Sequence, residues 1–257
     1  LKVRSYWQTV GYRLRYDYMT LFFGLVVILI ILSAIFAPLL APMDPYQSSM
    51  LNRLKPIGYK DFILGTDELG RDILSRILYG GRISLTMGIL PVFIATVIGG
   101  LLGIIAGFVG GRTNMTIMRI MDVFYAFPSI LLAVAISGAL GGGIFNGMMS
   151  LTLVFIPPLC RVAETATSQV RNLDFVEAAR ATGASTFSII RVHILGNVLG
   201  PILIYSSSLV SVSILIASGL SFLGLGVTPP EPDWGLMLNT LRQAIYIQPV
   251  ICALPGV

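Results

Sequence analysis

The chain has 257 residues, of which 55% are hydrophobic and only 11% are charged. A soluble globular domain carries about 25% charged residues, so this composition excludes that class and indicates an integral membrane protein. The net charge of +5 is not accompanied by a basic patch interleaved with aromatic residues, so it suggests cytoplasmic loops facing anionic lipid and argues against nucleic acid as a partner. The cysteines Cys160 and Cys252 lie far apart in or beside apolar runs, which predicts two small buried side chains.

Residues 1–20 form a basic, aromatic segment of the kind that lies at a membrane interface. Its charged and aromatic members are Lys2, Arg4, Arg13 and Arg15 with Trp7, Tyr12, Tyr16 and Tyr18. The apolar run 21–41 is about one bilayer thick, which predicts a first transmembrane helix. A signal peptide is the competing interpretation, but its apolar region would be about 7–15 residues long and this run is longer. Because the sequence begins at a leucine and stops inside an apolar run, we expect both ends to be trimmed.

The polar stretch 42–82 contains the octet Gly-Thr-Asp-Glu-Leu-Gly-Arg-Asp at residues 65–72. Its acidic residues lack the spacing of a calcium-binding loop, and no lysine follows a phosphate-loop glycine pattern. Catalytic carboxylates are a third alternative, but no histidine accompanies them. We therefore expect Thr66 or Asp67 to cap an amphipathic interfacial helix over 69–79. The side chains expected to face the membrane are Ile73, Ile77 and Leu78.

Four further apolar runs predict transmembrane helices at 83–109, 118–140, 148–163 and 198–226. The first of these has a glycine at every fourth position, which is typical of close helix packing, and pore lining is the weaker alternative. These glycines are Gly99, Gly103, Gly107 and Gly111. In the run 118–140, Pro128 is expected to lie near the cytoplasmic end. In the run 148–163, a pair of prolines predicts a kink. The residues of that pair are Pro157 and Pro158. A sixth run begins at Ile245 and is not completed.

The run 198–226 carries four serines within one narrow helical face. They are Ser207, Ser211, Ser218 and Ser221. Such a stripe either hydrogen-bonds to a neighbouring helix or lines a wet cavity, and the sequence leaves both alternatives open. The proline-rich residues that follow, up to Gly235, predict a rigid loop with Trp234 at the membrane interface.

Residues 174–196 form a polar, helix-forming insert between two long apolar runs. Asp174 is a good N-cap and Glu177 can reach back to its amide, which predicts a capping box at the start of a short helix. The alanines after Glu177 favour helix, and Gly183 is expected to end it in a left-handed conformation. Ser185 is expected to cap a second helix. The apolar positions of that helix are Phe187, Ile190, Ile194 and Leu195. Taken alone, the pattern is also that of an ordinary capped helix-turn-helix.

The apolar runs contain almost no ionisable groups, since no Asp, Glu, Lys or Arg occurs in 123–160 or 192–230. Proton-coupled carriers need such groups within the bilayer, so a gradient-driven proton symporter is disfavoured. Sodium coupling through unwound backbone stays open, but the inverted repeats expected with it are not evident. No Walker A loop, nucleophile–histidine pair or metal-binding cluster occurs, and the only histidine, His193, is expected at a helix end. The chain is therefore not expected to be an enzyme, and no catalytic or metal-binding residue is predicted.

The distribution of Lys and Arg favours a cytoplasmic N-terminus. In that orientation ten of the 17 Lys and Arg residues lie in cytoplasmic pieces. Short loops weigh most in this rule, and the long outer stretch 42–82 holds most of the remainder. The insert 174–196 then lies in the cytoplasm.

This insert resembles the "EAA" loop of bacterial ABC-importer permeases, in which Glu-Ala-Ala is followed after three residues by Gly and later by an Ile-x-Leu-Pro-like ending. The matching residues are Glu177, Ala178, Ala179 and Gly183. Gly196 stands where proline is usual, a departure that concerns the helix end. The octet at 65–72 looks like the signature of the C-type permease in dipeptide, oligopeptide and nickel importers, and Ser-Phe-Leu-Gly-Leu-Gly at 221–226 resembles the same subfamily. Together these resemblances favour an importer permease over a channel or secondary carrier.

The resemblance implies an all-α integral membrane protein with the type I ABC importer permease bundle, six transmembrane helices being expected and the last one truncated. It implies an N-terminal cytoplasmic or interfacial segment at 1–20 and a permease domain over 21–257, with an outer loop at 42–82 and a cytoplasmic coupling loop at 164–196. It places the protein in the bacterial inner (plasma) membrane as a multi-pass protein with a cytoplasmic N-terminus.

The same resemblance implies half of a translocation pathway for short peptides, with nickel chelates, glutathione-like compounds or opines as alternative cargo. The implied partners are a second homologous permease, two cytoplasmic ATPases that bind ATP and Mg, an extracytoplasmic substrate-binding protein and membrane lipid. No cofactor is expected in this chain. The residues implied for ATPase coupling are Asp174, Glu177, Ala178, Ala179 and Gly183. Among them, Ala179 is expected to face the ATPase.

Overall fold

The structure, a computed structural model, describes residue 12 and residues 14–256. This part of the chain is helical and contains no β-strand beyond two isolated bridges, so the predicted all-α class is confirmed. Much of the predicted interfacial segment, residues 1–11 and 13, lies outside the described residues. The helices are α1 (Tyr18–Ile35), α2 (Ala37–Leu40), α3 (Ile73–Val109), α4 (Gly111–Tyr125), α5 (Ser129–Leu140), α6 (Ile144–Val170), α7 (Asp174–Ala181), α8 (Thr186–Ile189), a π-helix (Ile190–Ile194), α9 (Leu195–Phe222), α10 (Trp234–Leu241) and α11 (Pro249–Ala253). Short 3₁₀ turns lie at Met50–Asn52, Arg242–Ala244 and Leu254–Gly256.

Four helical stretches in the described part of the chain are long and apolar enough to cross a membrane. They are Tyr18–Ile35, Ile73–Val109, Ile144–Val170 and Thr186–Phe222. Helices α4 and α5 together form a fifth candidate span, bent by 85°. Five complete candidate spans agree with the number of complete spans predicted from the sequence. Within the described residues, the stretch expected to open a sixth span contains the five-residue helix α11 followed by the 3₁₀ turn at Leu254–Gly256.

The third predicted span, 118–140, consists of two helices, and the break between them lies at Pro128. Helix α4 ends at Tyr125, and α5 begins at Ser129 after Pro128 in its N-cap position. The proline ring disfavours helical geometry at the preceding residue and removes a backbone donor, so the helix breaks there. The break forms an elbow (residues 126–128) between an amphipathic helix and an apolar half-span.

The glycine seam predicted in the second span is confirmed for three of its four members. A Cβ atom at Gly99 would lie 2.7 Å from the carbonyl oxygen of Ile156, and one at Gly103 would lie 2.3 Å from that of Cys160. At Gly107 the nearest atom would again be a carbonyl oxygen on α6, at 2.7 Å. These glycines therefore allow the backbones of α3 and α6 to approach closely. Gly111 differs, because it begins α4 and has open space around it.

The chain separates into two compact units, one that ends at Arg82 and one that begins at Ile83. In the first unit, α3 begins at Ile73, and Asp72 caps it by accepting hydrogen bonds from the backbone N–H and the hydroxyl of Ser75 at 2.8 and 2.6 Å. The prediction that Thr66 or Asp67 caps a separate helix over 69–79 is therefore wrong. Ile73 is fully buried and does not face the membrane.

Asp67 instead belongs to a buried ionic network in the segment 42–82. The Nε atom of Arg71 donates to its carboxylate at 2.6 Å, and the Nε atom of Arg76 lies 3.5 Å from the same oxygen. Arg76 also donates to the carbonyl of Pro45 at 3.0 Å, so the network ties residues at both ends of the segment together. Burial raises the pKa of Glu68, and the neighbouring Asp67 raises that pKa further. These charged side chains therefore bind to one another and hold a loop together.

The second unit has two cores, one between α3, α5, α6 and α9 and one under residues 174–198. Both cysteines are buried in this unit, as predicted. The proline-rich loop before α10 is fixed by Asp233, which caps that helix and accepts a hydrogen bond from the Ser84 hydroxyl at 2.7 Å. Helix α6, Ile144–Val170, extends well beyond both ends of the predicted span 148–163, and α9, Leu195–Phe222, begins and ends a few residues earlier than the predicted span 198–226. Both helices contain their prolines within the helix.

Candidate functional site

The loop segment, residues 174–196, begins with the short helix α7. This helix starts at Asp174 itself, and Leu173 occupies the N-cap position without a side-chain hydrogen bond. The prediction that Asp174 is the cap is therefore wrong by one residue. The carbonyl of Leu173 already accepts the N–H of Val176 at 2.8 Å and that of Glu177 at 3.2 Å. Asp174 and Glu177 lie in the first turn, where carboxylates stabilise the positive end of the helix dipole.

The C-terminus of α7 has the geometry predicted from Gly183. This glycine has φ +79°, the left-handed conformation. Its N–H donates to the carbonyl of Arg180 at 3.0 Å, and the next N–H, of Ala184, donates to that of Ala179 at 3.1 Å. These two bonds define a Schellman motif, which satisfies carbonyls that the helix end would otherwise leave unpaired.

The second half of the loop segment runs without a break into the membrane-spanning helix α9. Ser185 caps α8 as predicted, because its hydroxyl accepts the N–H of Ser188 at 3.3 Å. A π-helix at Ile190–Ile194 then joins α8 to α9. A displacement of the turn at Gly183 would therefore act directly on a span. The sequence did not predict the π-helix, which is a local change of winding with no residue signature.

Helix α7 has one buried face and one exposed face. Val176 is fully buried and Ala179 is 9% exposed, whereas Phe175, Glu177 and Ala178 are exposed. The prediction that Ala179 faces outward is therefore wrong, because the helical spacing of Val176 and Ala179 places both on the side that packs on the protein. The outward face contains Ala178 and Glu177.

The buried face of α7 packs on parts of three spans. The cluster around Val176 and Ala179 includes Phe108 of α3, Ala163 of α6 and Val198 of α9. The guanidinium carbon of Arg180 lies 5.3 Å from the centroid of the Phe108 ring, a cation–π geometry. The loop segment is thus attached to the ends of several spans at once. Phe108 could not be singled out from the sequence, because it lies at the end of an apolar run with no polar neighbour to mark it.

Polar contacts also join the residues at the ends of α3 and α6, close to the loop segment. The amide of Asn114 donates to the Glu164 carboxylate at 2.6 Å, and the Ser168 hydroxyl donates to it at 3.0 Å. Arg171 donates to the carbonyl of Gly107 at 3.0 Å, which satisfies a carbonyl in the last turn of α3. The sequence placed these residues in loops or at span ends but gave no sign of their pairing.

A cavity of about 430 Å³ lies beside the elbow between α4 and α5. It is lined mainly by aromatic and apolar residues of the elbow, the adjoining ends of α4 and α5, and helices α6 and α9. Representative lining residues are Tyr125, Phe127, Pro158, Tyr205 and Val212. None of the four serines predicted as possible cavity lining belongs to this set.

The serine stripe of α9 divides between exposed and buried positions. Ser207 and Ser211 are exposed, and the Ser207 hydroxyl donates to the carbonyl of Ile204 at 2.7 Å on its own helix. Ser218 is half-buried. Ser221 is fully buried, and its hydroxyl accepts the N–H of Val227 at 3.2 Å, so it fixes the turn after α9. The helical periodicity that grouped the serines could not distinguish a turn residue at the helix end from a lining residue.

A charged pair lies beside Tyr125, one of the residues that line the aromatic cavity. Arg161 of α6 donates to the carboxylate of Asp122 on α4, and both side chains are about half exposed, at 48% and 45%. The guanidinium carbon of Arg161 also lies 5.4 Å from the centroid of the Tyr125 ring, which lines the cavity. In the sequence these two residues directly flank the uncharged stretch 123–160. Because they are far apart along the chain, the sequence did not predict that they form a pair.

Comparisons with known proteins identify the family. Residues 99–257 match the family described as "Binding-protein-dependent transport system inner membrane component", and residues 5–56 match the N-terminal transmembrane domain of oligopeptide transport permease C. The chain is 41% identical over 237 residues to the di/tripeptide transport system permease protein DppC of Pseudomonas aeruginosa, which covers 90% of this chain and 78% of that protein.

Two other comparisons agree with this result. The glutathione transport system permease protein GsiD of Pectobacterium atrosepticum is 39% identical over 254 residues, covering 99% of this chain and 84% of that protein. A chain of the MetNI methionine ABC transporter in an inward-facing conformation has a TM-score of 0.60 at 19% identity, covering 72% of this chain and 88% of that one, which shows a shared fold. The chain belongs to the family of binding-protein-dependent transport system inner membrane components and is a multi-pass inner-membrane permease subunit of an ABC importer.

Proposed function

We propose that this permease forms half of a translocation pathway for short peptides and that the loop segment couples it to a cytoplasmic ATPase. The two-faced packing of α7 carries the coupling part of the proposal. Its outward face leaves Ala178 and Glu177 available to a partner, while its inward face packs on α3, α6 and α9. A helix held in this way can pass a displacement imposed by a partner to several spans together, which is what alternating access requires.

The proposed roles within the loop segment follow from its geometry. Glu177 and Ala178 form the surface that meets the ATPase, and Asp174 stabilises the start of α7 through the helix dipole. Ala179 holds α7 against the spans from the inside. Gly183 forms the corner after α7, and the left-handed conformation at that corner directs the chain back toward the membrane.

The proposed partners are a second, homologous permease, two ATPase subunits that bind ATP and Mg, and an extracytoplasmic substrate-binding protein. The family description names dependence on a binding protein, and the relatives are components of transport systems. The N-terminus and the loop segment are proposed to be cytoplasmic, because ten of the 17 Lys and Arg residues then lie on that side.

Short peptides are proposed as cargo for two reasons. The relatives include permeases named for di/tripeptide, D,D-dipeptide and glutathione transport, and glutathione is itself a small peptide derivative. The cavity beside the elbow has an uncharged aromatic lining, which suits side chains of varied shape and leaves selection mainly to the binding protein.

Gentle affinity purification of this chain from its native membrane tests the assembly. We expect two ATPases, a second permease and, under mild conditions, a binding protein to be recovered with it. The reconstituted complex should then accumulate alanyl-phenylalanine in an ATP-dependent manner, with glutathione as the comparison cargo. A homo-oligomer without ATPase would contradict the coupling proposal, and uptake of glutathione without any dipeptide would contradict the proposed cargo.

A further inference from the structure

We propose that the aromatic cavity and the Asp122–Arg161 pair beside it form a peptide-binding station, in which the pair opens and binds the charged ends of the cargo. This inference rests on the proposed peptide transport and names the residues that hold the peptide inside the permease. In the station, Arg161 receives the carboxylate of the peptide, Asp122 receives its ammonium group, and the cavity receives the side chains.

The cavity has the size and the lining of a small-molecule site. Its volume of about 430 Å³ falls within the roughly 300–1,000 Å³ typical of ligand pockets. Aromatic residues from two separate parts of the chain, Tyr125 and Phe127 at the elbow and Tyr205 on α9, contribute to its wall. Aromatic walls accept apolar side chains of different shapes, and the two tyrosine hydroxyls can hydrogen-bond to peptide groups.

The charged pair lies next to this wall on two different helices. Asp122 precedes Tyr125 by three residues on α4, and Arg161 follows Pro158 by three residues on α6, so each charged residue shares a helix face with a residue that lines the cavity. The position of the Arg161 guanidinium over the Tyr125 ring fixes this relation in space. One carboxylate and one guanidinium therefore lie about one helical turn from residues that line the cavity, outside the lining itself.

The pair can exchange partners at low cost. Both side chains are about half exposed in the isolated chain, so a cargo in the cavity can reach them. A zwitterionic peptide brings one carboxylate and one ammonium group, so exchange leaves each of the four charges with a partner. Guanidinium–carboxylate contacts are strong hydrogen bonds, and no charge is left buried and unpaired, which would be the expensive alternative.

Photocrosslinking in the complete reconstituted transporter tests the station. A p-benzoylphenylalanine placed at Val212, which lines the cavity, should capture radiolabelled alanyl-phenylalanine delivered by the binding protein. The same photoprobe at Met149, which lines a separate apolar groove on α6, is the matched control position and should capture little. In the D122N/R161Q double variant, capture at position 212 should fall at least about tenfold, because two charge-assisted hydrogen bonds are lost.

A second readout separates binding from a merely structural role of the pair. We expect D122N/R161Q to keep its ATPase partners on purification, so that a loss of capture in this variant is not a loss of assembly. Equal capture at positions 212 and 149, unchanged capture in the double variant, or a parallel loss of assembly and capture would each overturn the station. Failure of the wild-type complex to take up any dipeptide would instead overturn the proposed function on which the station depends.

Discussion

The guanidinium carbon of Arg180, on α7, lies 5.3 Å from the centroid of the Phe108 ring, in the last turn of α3. This contact joins an exposed residue of the loop segment to a span that is far from it along the chain. A movement of α7 would therefore change the environment of Phe108, and through it the end of α3. The contact is a specific physical link through which the loop segment can act on the membrane part of the permease.

Separating Arg180 from Phe108 should weaken coupling more than assembly. A cation–π contact at an exposed site contributes about 0.5–1 kcal/mol, so Arg180→Gln should lower the uptake per ATP hydrolysed by about two- to fivefold. Phe108→Leu should have a similar effect, and the double variant should be no worse than the stronger single one. The ratio of uptake to ATP hydrolysed is obtained by measuring both rates in proteoliposomes. Additive effects of the two changes would show that the contact carries no coupling.

The neighbouring alanines of α7 should respond oppositely to the same bulky residue. Ala178→Trp adds a ring to an exposed position and should abolish ATPase binding while leaving the permease stable. Ala179→Trp overpacks the cluster under α7 and should lower the free energy of unfolding by about 1–3 kcal/mol or more. Thermal stability in detergent and co-purification of the ATPase measure the two effects. Loss of ATPase binding only at position 179 would reverse the assignment of the faces.

The sequence predicted the turn chemistry of the loop segment better than its orientation. Gly183 and Ser185 could be placed because a left-handed glycine and a serine cap are determined by local backbone needs. The side of α7 on which Ala179 lies could not be predicted, because alanines at neighbouring positions give no hydrophobic contrast. The buried side is determined by packing on α3, α6 and α9. Asp174 shows the same limit, since an N-cap and a first-turn carboxylate look alike in a sequence.

Replacing Gly183 by valine should uncouple transport without preventing insertion. A β-branched residue at φ +79° is strained by about 1–3 kcal/mol, which should distort the Schellman motif and move the corner after α7. Gly196→Val is the matched control, because Gly196 lies in a helix and has open space around it. Uptake should fall in the first variant and persist in the second, with both present in the membrane at normal amounts. Normal transport by Gly183→Val would contradict the role of the corner.

Removing the charge of Asp67 should loosen the segment 42–82. Asp67→Asn leaves the guanidinium groups of Arg71 and Arg76 buried without their shared carboxylate, and breaking a buried pair costs about 3–5 kcal/mol. Limited proteolysis of residues 42–72 in intact membrane vesicles should become faster, whereas the exposed substitution Asp61→Asn should leave the rate unchanged. Equal cleavage rates in the two variants would show that the network does not hold the segment.

The octet at 65–72 illustrates why ionic networks are hard to predict from a sequence. Its four charged residues set it apart from the apolar runs, and their types and spacing argued against a calcium-binding loop and a phosphate-binding loop. The pairing of Asp67 with both Arg71 and Arg76 depends on the loop folding back so that Pro45 meets Arg76. That closure is a tertiary contact over 31 positions, which no local pattern encodes.

The seam between α3 and α6 provides a test in which two nearby glycines should behave differently. A Cβ atom at Gly103 would lie 2.3 Å from the carbonyl oxygen of Cys160, so Gly103→Val must push the two backbones apart, whereas Gly100 has no atom within 4 Å. Overpacking of this kind costs about 1–3 kcal/mol, and backbone cannot yield as a flexible side chain does. Gly103→Val should therefore lower the melting temperature of the purified permease, while Gly100→Val leaves it nearly unchanged. Similar melting temperatures for both variants would mean that α3 and α6 do not pack through this seam.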